Sequence, residues 1–226
     1  MGQRGKPGRR AIRDLKRRRA SREPKRRFTL FCEGKNTEPA YFNALKRSYG
    51  STQIQQIDVS IEPGVGVPYT VSEKAVAFAK SEGLARNSRR KMNSFEERDE
   101  IWAVFDRDQH PRFQEAVALC ETHGIKVARS NPCFELWLIL HEQDYNKPST
   151  RHQVQKVLQN LRPDYDKKGS KTLDCDELVT RVRDAEQLAE KQLKHREQGG
   201  EPYGNPSTTV GRLCRAIREA HKDAEP

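Results

Sequence analysis

Apolar and polar positions alternate along this chain in two periods. From Phe28 to about residue 141 short strand-like runs take turns with helical stretches. Phe28 to Cys32 is a strand-like run that stops at the turn pair Glu33-Gly34. Thr37 is placed to cap a helix through Tyr41, Phe42 and Leu45, with Pro39 in its first turn. Ile57, Val59 and Ile61 alternate with polar residues, as on a half-buried strand. A Pro- and Gly-bearing loop, residues 63–68, leads to a helical face at Val71, Ala75 and Phe78. Ile101 to Phe105 is continuously apolar, as in a strand buried on both sides. Phe113, Val117 and Cys120 predict a helix closed by Gly124, and Ile125 to Ser130 a fourth strand. Pro132 then opens an apolar helix from Phe134 to His141.

Four strand–helix alternations imply a parallel or mixed sheet flanked by helices, an α/β fold. The last third of the chain is helical in period. Val154, Val157, Leu158 and Leu161 mark a helix after Ser149, and Leu178, Val182, Ala185, Ala189 and Leu193 a long one. Val210, Leu213, Cys214 and Ile217 mark the last, with Ser207 as its predicted cap. These helices are expected to pack on the sheet as a C-terminal extension, not as a separate domain.

Charge divides the chain. The formal net charge is +11, and residues 1–27 alone hold 13 Lys/Arg against Asp14 and Glu23. The body, residues 28–226, is therefore neutral, and a basic arm carries the whole excess. The arm is too poor in apolar residues to form a core, so it is expected to be disordered. It either attracts nucleic acid through phosphate charge or serves as a solubilising tail. No apolar run approaches the roughly 20 residues that cross a bilayer. The five cysteines include no CxxC pair, which argues against a disulfide framework or zinc site and for a cytoplasmic protein.

The chemistry concentrates at Asp106 and Asp108. Residues two apart on a strand face the same way, and ligands bind at the carboxyl edge of parallel strands. Two carboxylates there repel unless a cation lies between them, and hard oxygen ligands suit Mg²⁺ or Mn²⁺. Alternatively, the pair begins a turn ahead of Pro111. Glu33 follows the first strand, Glu38 lies five residues on, and Glu135 begins the helix after the fourth strand. If the sheet is parallel, these acids surround one volume, as two-metal phosphodiester chemistry requires. Glu33 held off the metal would serve as general acid or base. Glu38 and Glu135 also suit a helix N-terminus through the macrodipole alone. His110 would bind phosphate or position water, or is simply solvated, whereas His141 is assigned to core or helix-end contacts. Tyr165, Lys167, Lys168 and Lys171 form a basic loop that either contacts substrate phosphates or is a solvated segment.

Glu-Gly after a first strand and Asp-x-Asp after a later one resemble the Toprim catalytic fold of topoisomerases, bacterial primases and related nucleases. Phe31 to Phe42, Phe105 to Asp108, the run Ser130-Asn131-Pro132-Cys133-Phe134-Glu135 through His141, and Asn205 to Val210 resemble the RloB family. That resemblance implies a Toprim-like, metal-dependent nuclease of anti-phage defence or restriction loci, cleaving RNA (tRNA included) or DNA beside an AAA-type ATPase. It matches Glu33 to the Toprim glutamate, Asp106 and Asp108 to its aspartate pair, and Glu38 and Glu135 to acidic positions of the RloB pattern. The spacing around Lys167 and Lys171 is not diagnostic of the nuclease lysine, and both stay open as substrate or outer contacts. Two other readings stay open: a non-catalytic metal- or nucleic-acid-binding partner of the ATPase, and a nucleotidyl transferase.

Overall fold

The fold is built around a strand that is apolar on both faces. In the computed structural model, which describes residues 26–49, 57–64, 66–86, 98–107, 110–165 and 173–222, that strand is β3 (Glu100–Asp106), buried from Ile101 onward. It lies at the centre of a five-stranded sheet in the order β2-β1-β3-β4-β5. β1 (Arg26–Cys32) pairs in parallel with β2 (Ile57–Glu62) and with β3, and β4 (Lys126–Asn131) extends the parallel set. The fifth strand, β5 (Ser207–Thr208), is antiparallel to β4. The sheet is thus mixed, and Ser207 is a strand residue, not a helix cap.

Strand alternation divides the core into two layers. Phe28, Leu30, Cys32, Trp102, Val104 and Ala128 face one side, together with α1 (Thr37–Tyr49) and the C-terminal helices. Phe31, Ile101, Ala103 and Phe105 face the other, under α2 (Pro68–Glu82) and α3 (Phe113–His123). Each of those two helices stops at a glycine in the left-handed region, Gly83 at φ 73° and Gly124 at φ 78°. The backbone N–H of each glycine satisfies carbonyls of the last turn, as left-handed caps do.

The apolar run after Pro132 forms only a short helix, α4 (Glu135–Ile139). Leu136, Trp137, Leu138 and Ile139 are all fully buried, because α4 is enclosed between the sheet and the helices that follow. A helix apolar all round has to be interior, and each such side chain contributes about 1.5–3 kcal/mol by leaving water. α5 (Arg151–Leu161) starts at a capping box between Thr150 and Gln153. The long C-terminal pattern divides into a 3₁₀ turn (Leu178–Arg181) and α6 (Val182–Gln198). α7 (Val210–Lys222) packs on α6 and on β4. The extension therefore shares the core of the sheet, as the sequence pattern implies. No helix among the described residues is long and apolar enough to cross a membrane.

β1 includes two arginines that the charge pattern groups with the basic arm. Arg26 forms an ion pair with Glu100 at 2.6 Å, and the Arg27 N–H donates to Asp99 Oδ1 at 2.8 Å. Both arginines belong to β1, while the remainder of the basic arm, residues 1–25, lies outside the described residues.

Candidate functional site: an acidic pocket at the carboxyl edge

β1 and β3 run parallel and side by side, so their carboxyl ends open on the same edge. Glu33 leaves β1 there, tied to β3 by its N–H donating to the Val104 carbonyl at 2.9 Å. Its side chain turns towards β3, where Oε2 accepts the Asp106 N–H at 3.0 Å. Nε2 of His110 lies 3.8 Å from Glu33 Oε1. Thus Glu33 and Asp106, 73 residues apart, share one corner of the sheet.

Glu38 reaches the same corner from the first turn of α1. Its carboxylate folds back, and Oε1 accepts the Gly34 N–H at 3.1 Å. A Cβ on residue 34 would stand 2.2 Å from Glu38 Oε2, so glycine is what leaves room for the carboxylate. Glu135 comes from the start of α4 and is buried with the apolar residues around it. Its Oε1 accepts Tyr165 Oη–H at 2.6 Å and Gln155 Nε2–H at 3.0 Å. A pocket of about 190 Å³ unites these groups: Glu33, Glu38, Asp106 and Glu135 line it with Gly34, Lys35, Asn36, Thr37, Phe134, Arg151 and Gln155.

Charge compensation in the pocket is uneven. Arg151 pairs with Asp106, Nη2 to Oδ2 at 2.7 Å. Even so, burial and then the charges of Glu38, Glu135 and Glu33 push the Asp106 carboxyl well above the usual range, with Arg151 opposing. Burial also pushes Glu38 up to about 7; hydrogen bonds from backbone N–H groups oppose this, and the charges of Glu135 and Glu33 add to it. Glu135 goes the other way. Burial raises it, but hydrogen bonds from Tyr165, Cys133, backbone N–H and Gln155 outweigh that and hold it below the ordinary carboxylate range. Burial, and after it the neighbouring charges, thus raise Asp106 and Glu38, while hydrogen bonds keep Glu135 low.

The donor set is carboxylate oxygen, which fits a hard divalent cation. Among the described residues, however, no three His, Cys, Asp or Glu side chains stand grouped to hold a metal ion as they are. One reason is visible: Arg151 occupies the outer oxygen of Asp106.

The structure therefore brings together Glu33, Glu38, Asp106 and Glu135, with His110 at the rim. Asp108, Lys167, Lys168 and Lys171 lie outside the described residues. His141 is a buried core residue between Tyr41 Oη (3.0 Å) and the Trp137 carbonyl (2.9 Å). Tyr165, grouped by sequence with a basic loop, is buried and belongs to Glu135. Arg151 and Gln155 were missed by sequence reasoning. A signal did exist for Arg151: a cation at N1 of a helix opposes the macrodipole, which points to an anionic partner elsewhere.

The fold and site are those of an α/β protein with an acid-lined pocket at the carboxyl edge of a mostly parallel sheet. The model of the RloB-like protein family matches residues 28–217, and the chain belongs to that family. No curated protein and no solved structure matches it.

Proposed function

We propose that this protein is a divalent-metal-dependent nuclease that hydrolyses phosphodiesters of RNA, tRNA included, or of DNA. The observation that carries the reading is the convergence of Glu33, Glu38, Asp106 and Glu135 on one pocket, with two of the four raised by burial and by the neighbouring charges. Such a pocket attracts a small, hard, doubly charged ion, Mg²⁺ or Mn²⁺. Asp106, Glu135 and Asp108 would hold it, and Glu33, fixed by the Asp106 N–H, would complete the set or act as general acid or base. When bound, the ion supplies electrostatic stabilisation of the attacking and leaving oxygens. Glu38 suits proton exchange near neutrality, because its proton is held to about pH 7. Arg151, on release from Asp106, is placed to meet phosphate charge. Its likeness to the Toprim nucleases supports a defence or restriction role beside an AAA-type ATPase in the cytoplasm.

The test is cleavage of labelled tRNA, single-stranded RNA and DNA with Mn²⁺, by wild type and Asp106→Ala, alone and with the ATPase. Metal-dependent cleavage lost in the variant is the expected result. Equal activity in both would defeat the assignment. A second reading has its own observation, the Arg151–Asp106 ion pair, which offsets part of the site's charge without any metal. On that reading the protein is a non-catalytic binding partner, and no substrate is cut under any of these conditions.

A further inference from the structure

On the other face of the carboxyl edge, two arginines converge without acid partners. Arg107 follows Asp106 directly, and Arg129 stands on β4 opposite Phe105. Both guanidinium groups lie 5.9 Å from the Phe113 ring, and that of Arg129 stacks on Tyr203 at 3.3 Å from the ring centroid. Arg26, Arg47, Arg112, Arg151, Arg162, Arg181, Arg212, Arg215 and Arg218 all pair with carboxylates. Among the described residues Arg107 and Arg129 form no such ion pair, nor do Arg86, Arg98, Arg183 and Arg196, but only Arg107 and Arg129 meet over one aromatic ring. Two like charges held this close, with aromatic rings for neighbours, make a site for anions.

The loop that presents Tyr203 is fixed in place. Tyr203 is the one non-glycine among the described residues with positive φ, 66°. Side chains rarely take that conformation unless their surroundings hold them in it. Here the Tyr203 carbonyl accepts Arg107 Nη1–H at 2.8 Å and Asn131 Nδ2–H at 3.1 Å. The same arginine therefore sets the loop and stays without a carboxylate partner.

Two cavities flank this platform, and one of them adjoins the acids. One, of about 390 Å³, is lined by Arg107, Asn131, Thr150 and Arg151 among others. Arg151 also lines the acidic pocket, so the two spaces share a wall. The other, of about 290 Å³, holds Arg129, Tyr203 and Lys126, with Glu121 at its side.

We propose that this path is the seat of a nucleic-acid strand: with one phosphate over the acidic pocket, the next phosphates of the sugar-phosphate backbone lie on Arg107 and then Arg129, beside Tyr203. The placement of the first phosphate rests on the nuclease reading; the binding path itself does not. The backbone is common to RNA and DNA, and parallel assays with each tell them apart.

The test is fluorescence anisotropy with a labelled single-stranded 12-mer, as RNA and as DNA, on full-length protein in EDTA over a range of salt. Arg107→Ala/Arg129→Ala is compared with Arg47→Ala/Arg183→Ala, which removes the same charge from α1 and α6. The first variant is expected to bind at least tenfold more weakly, and its salt slope to fall by roughly 1.4, or about 0.7 for each lost phosphate contact. The control is expected to stay within about threefold of wild type. Because the alanine pair could disturb the Tyr203 loop, Arg107→Lys/Arg129→Lys is tested as well, and it should retain the wild-type slope. Equal weakening in both alanine pairs, or no weakening in the first, overturns the proposal. If tRNA, RNA and DNA all go uncut with Mn²⁺ while the slope difference stands, the nuclease reading falls alone. If cleavage stands and the slopes agree, the path falls alone.

Discussion

The Asp106 N–H donates to Glu33 Oε2 at 3.0 Å, so the backbone of one candidate ligand fixes the carboxylate of another. A glutamine at position 33 can present its carbonyl oxygen to the same N–H while carrying no charge. Glu33→Gln is therefore expected to melt within a few degrees of wild type, yet to lose Mn²⁺-dependent cleavage by about 10²-fold or more. Parallel melting curves and cleavage rates check this. A large fall in stability with full activity would contradict it.

Arg151 is the main counter-charge for Asp106. Arg151→Ala leaves that carboxyl among three other acids, at a cost of about 1–3 kcal/mol in unfolding free energy. The loss should be larger at pH 8 than at pH 5, because Glu38, raised to about 7, is charged at the higher pH. Millimolar Mn²⁺ should restore much of it, with tighter cation binding than in wild type. Urea unfolding at both pH values, with and without Mn²⁺, reads all three effects.

Gly34 and Glu38 compete for one space. Gly34→Ala is expected to displace the Glu38 carboxylate and destabilise the fold by about 1–3 kcal/mol. Adding Glu38→Ala removes the obstacle, so the double variant should be more stable than the two single losses summed. A coupling near zero in that double-mutant cycle would show that the two groups do not meet.

Glu38 also predicts a pH dependence. Its folded pKa is raised to about 7, so the folded state holds this proton more tightly than the unfolded chain does. The resulting stabilisation is fully present below the unfolded value near 4.5 and is lost as pH rises through about 7. Asp106 acts in the same direction. Its magnitude is on the order of 3 kcal/mol at most for Glu38. His141, lowered to about 4 by burial, opposes it: that contribution is present above pH 6.5 and is lost as pH falls towards 4. The difference between wild type and Glu38→Gln isolates the glutamate. In metal-free buffer, wild type should lose stability between pH 5 and 8 more steeply than the variant.

The basic N-terminal segment gives a further prediction. Deleting residues 1–25 removes 11 of the 13 basic residues there, leaving Arg26 and Arg27 in β1. That deletion should flatten the salt dependence of nucleic-acid affinity without changing the melting temperature. Deleting Arg26 and Arg27 as well should lower the melting temperature, because the contacts to Glu100 and Asp99 are lost.

The alternation of strands and helices up to residue 141 was legible because both periods are clean and their boundaries carry Gly and Pro. The meeting of Glu33 with Asp106 was legible for a related reason, since parallel strands in a crossover fold share an exit edge. Ser207 and Thr208 were not, because two strand residues are too few to show a period, and they pair with β4 some 78 residues away. The role of Tyr165 was hidden by the lysines that follow it. The pairing of Arg151 with Asp106 depends on how α5 is set against the sheet, which no local pattern specifies.

β5 has a further consequence. Beyond Ser207 and Thr208 the chain continues to mimic a strand: Thr209 Oγ1 accepts the Arg129 N–H, and the Thr209 N–H donates to the Arg129 carbonyl. These few atoms saturate the flank of β4 that would otherwise invite a foreign strand. The opposite margin, Ile57–Glu62, has no such guard among the described residues. A strand adding to this sheet would therefore meet β2, at the far side from Arg129.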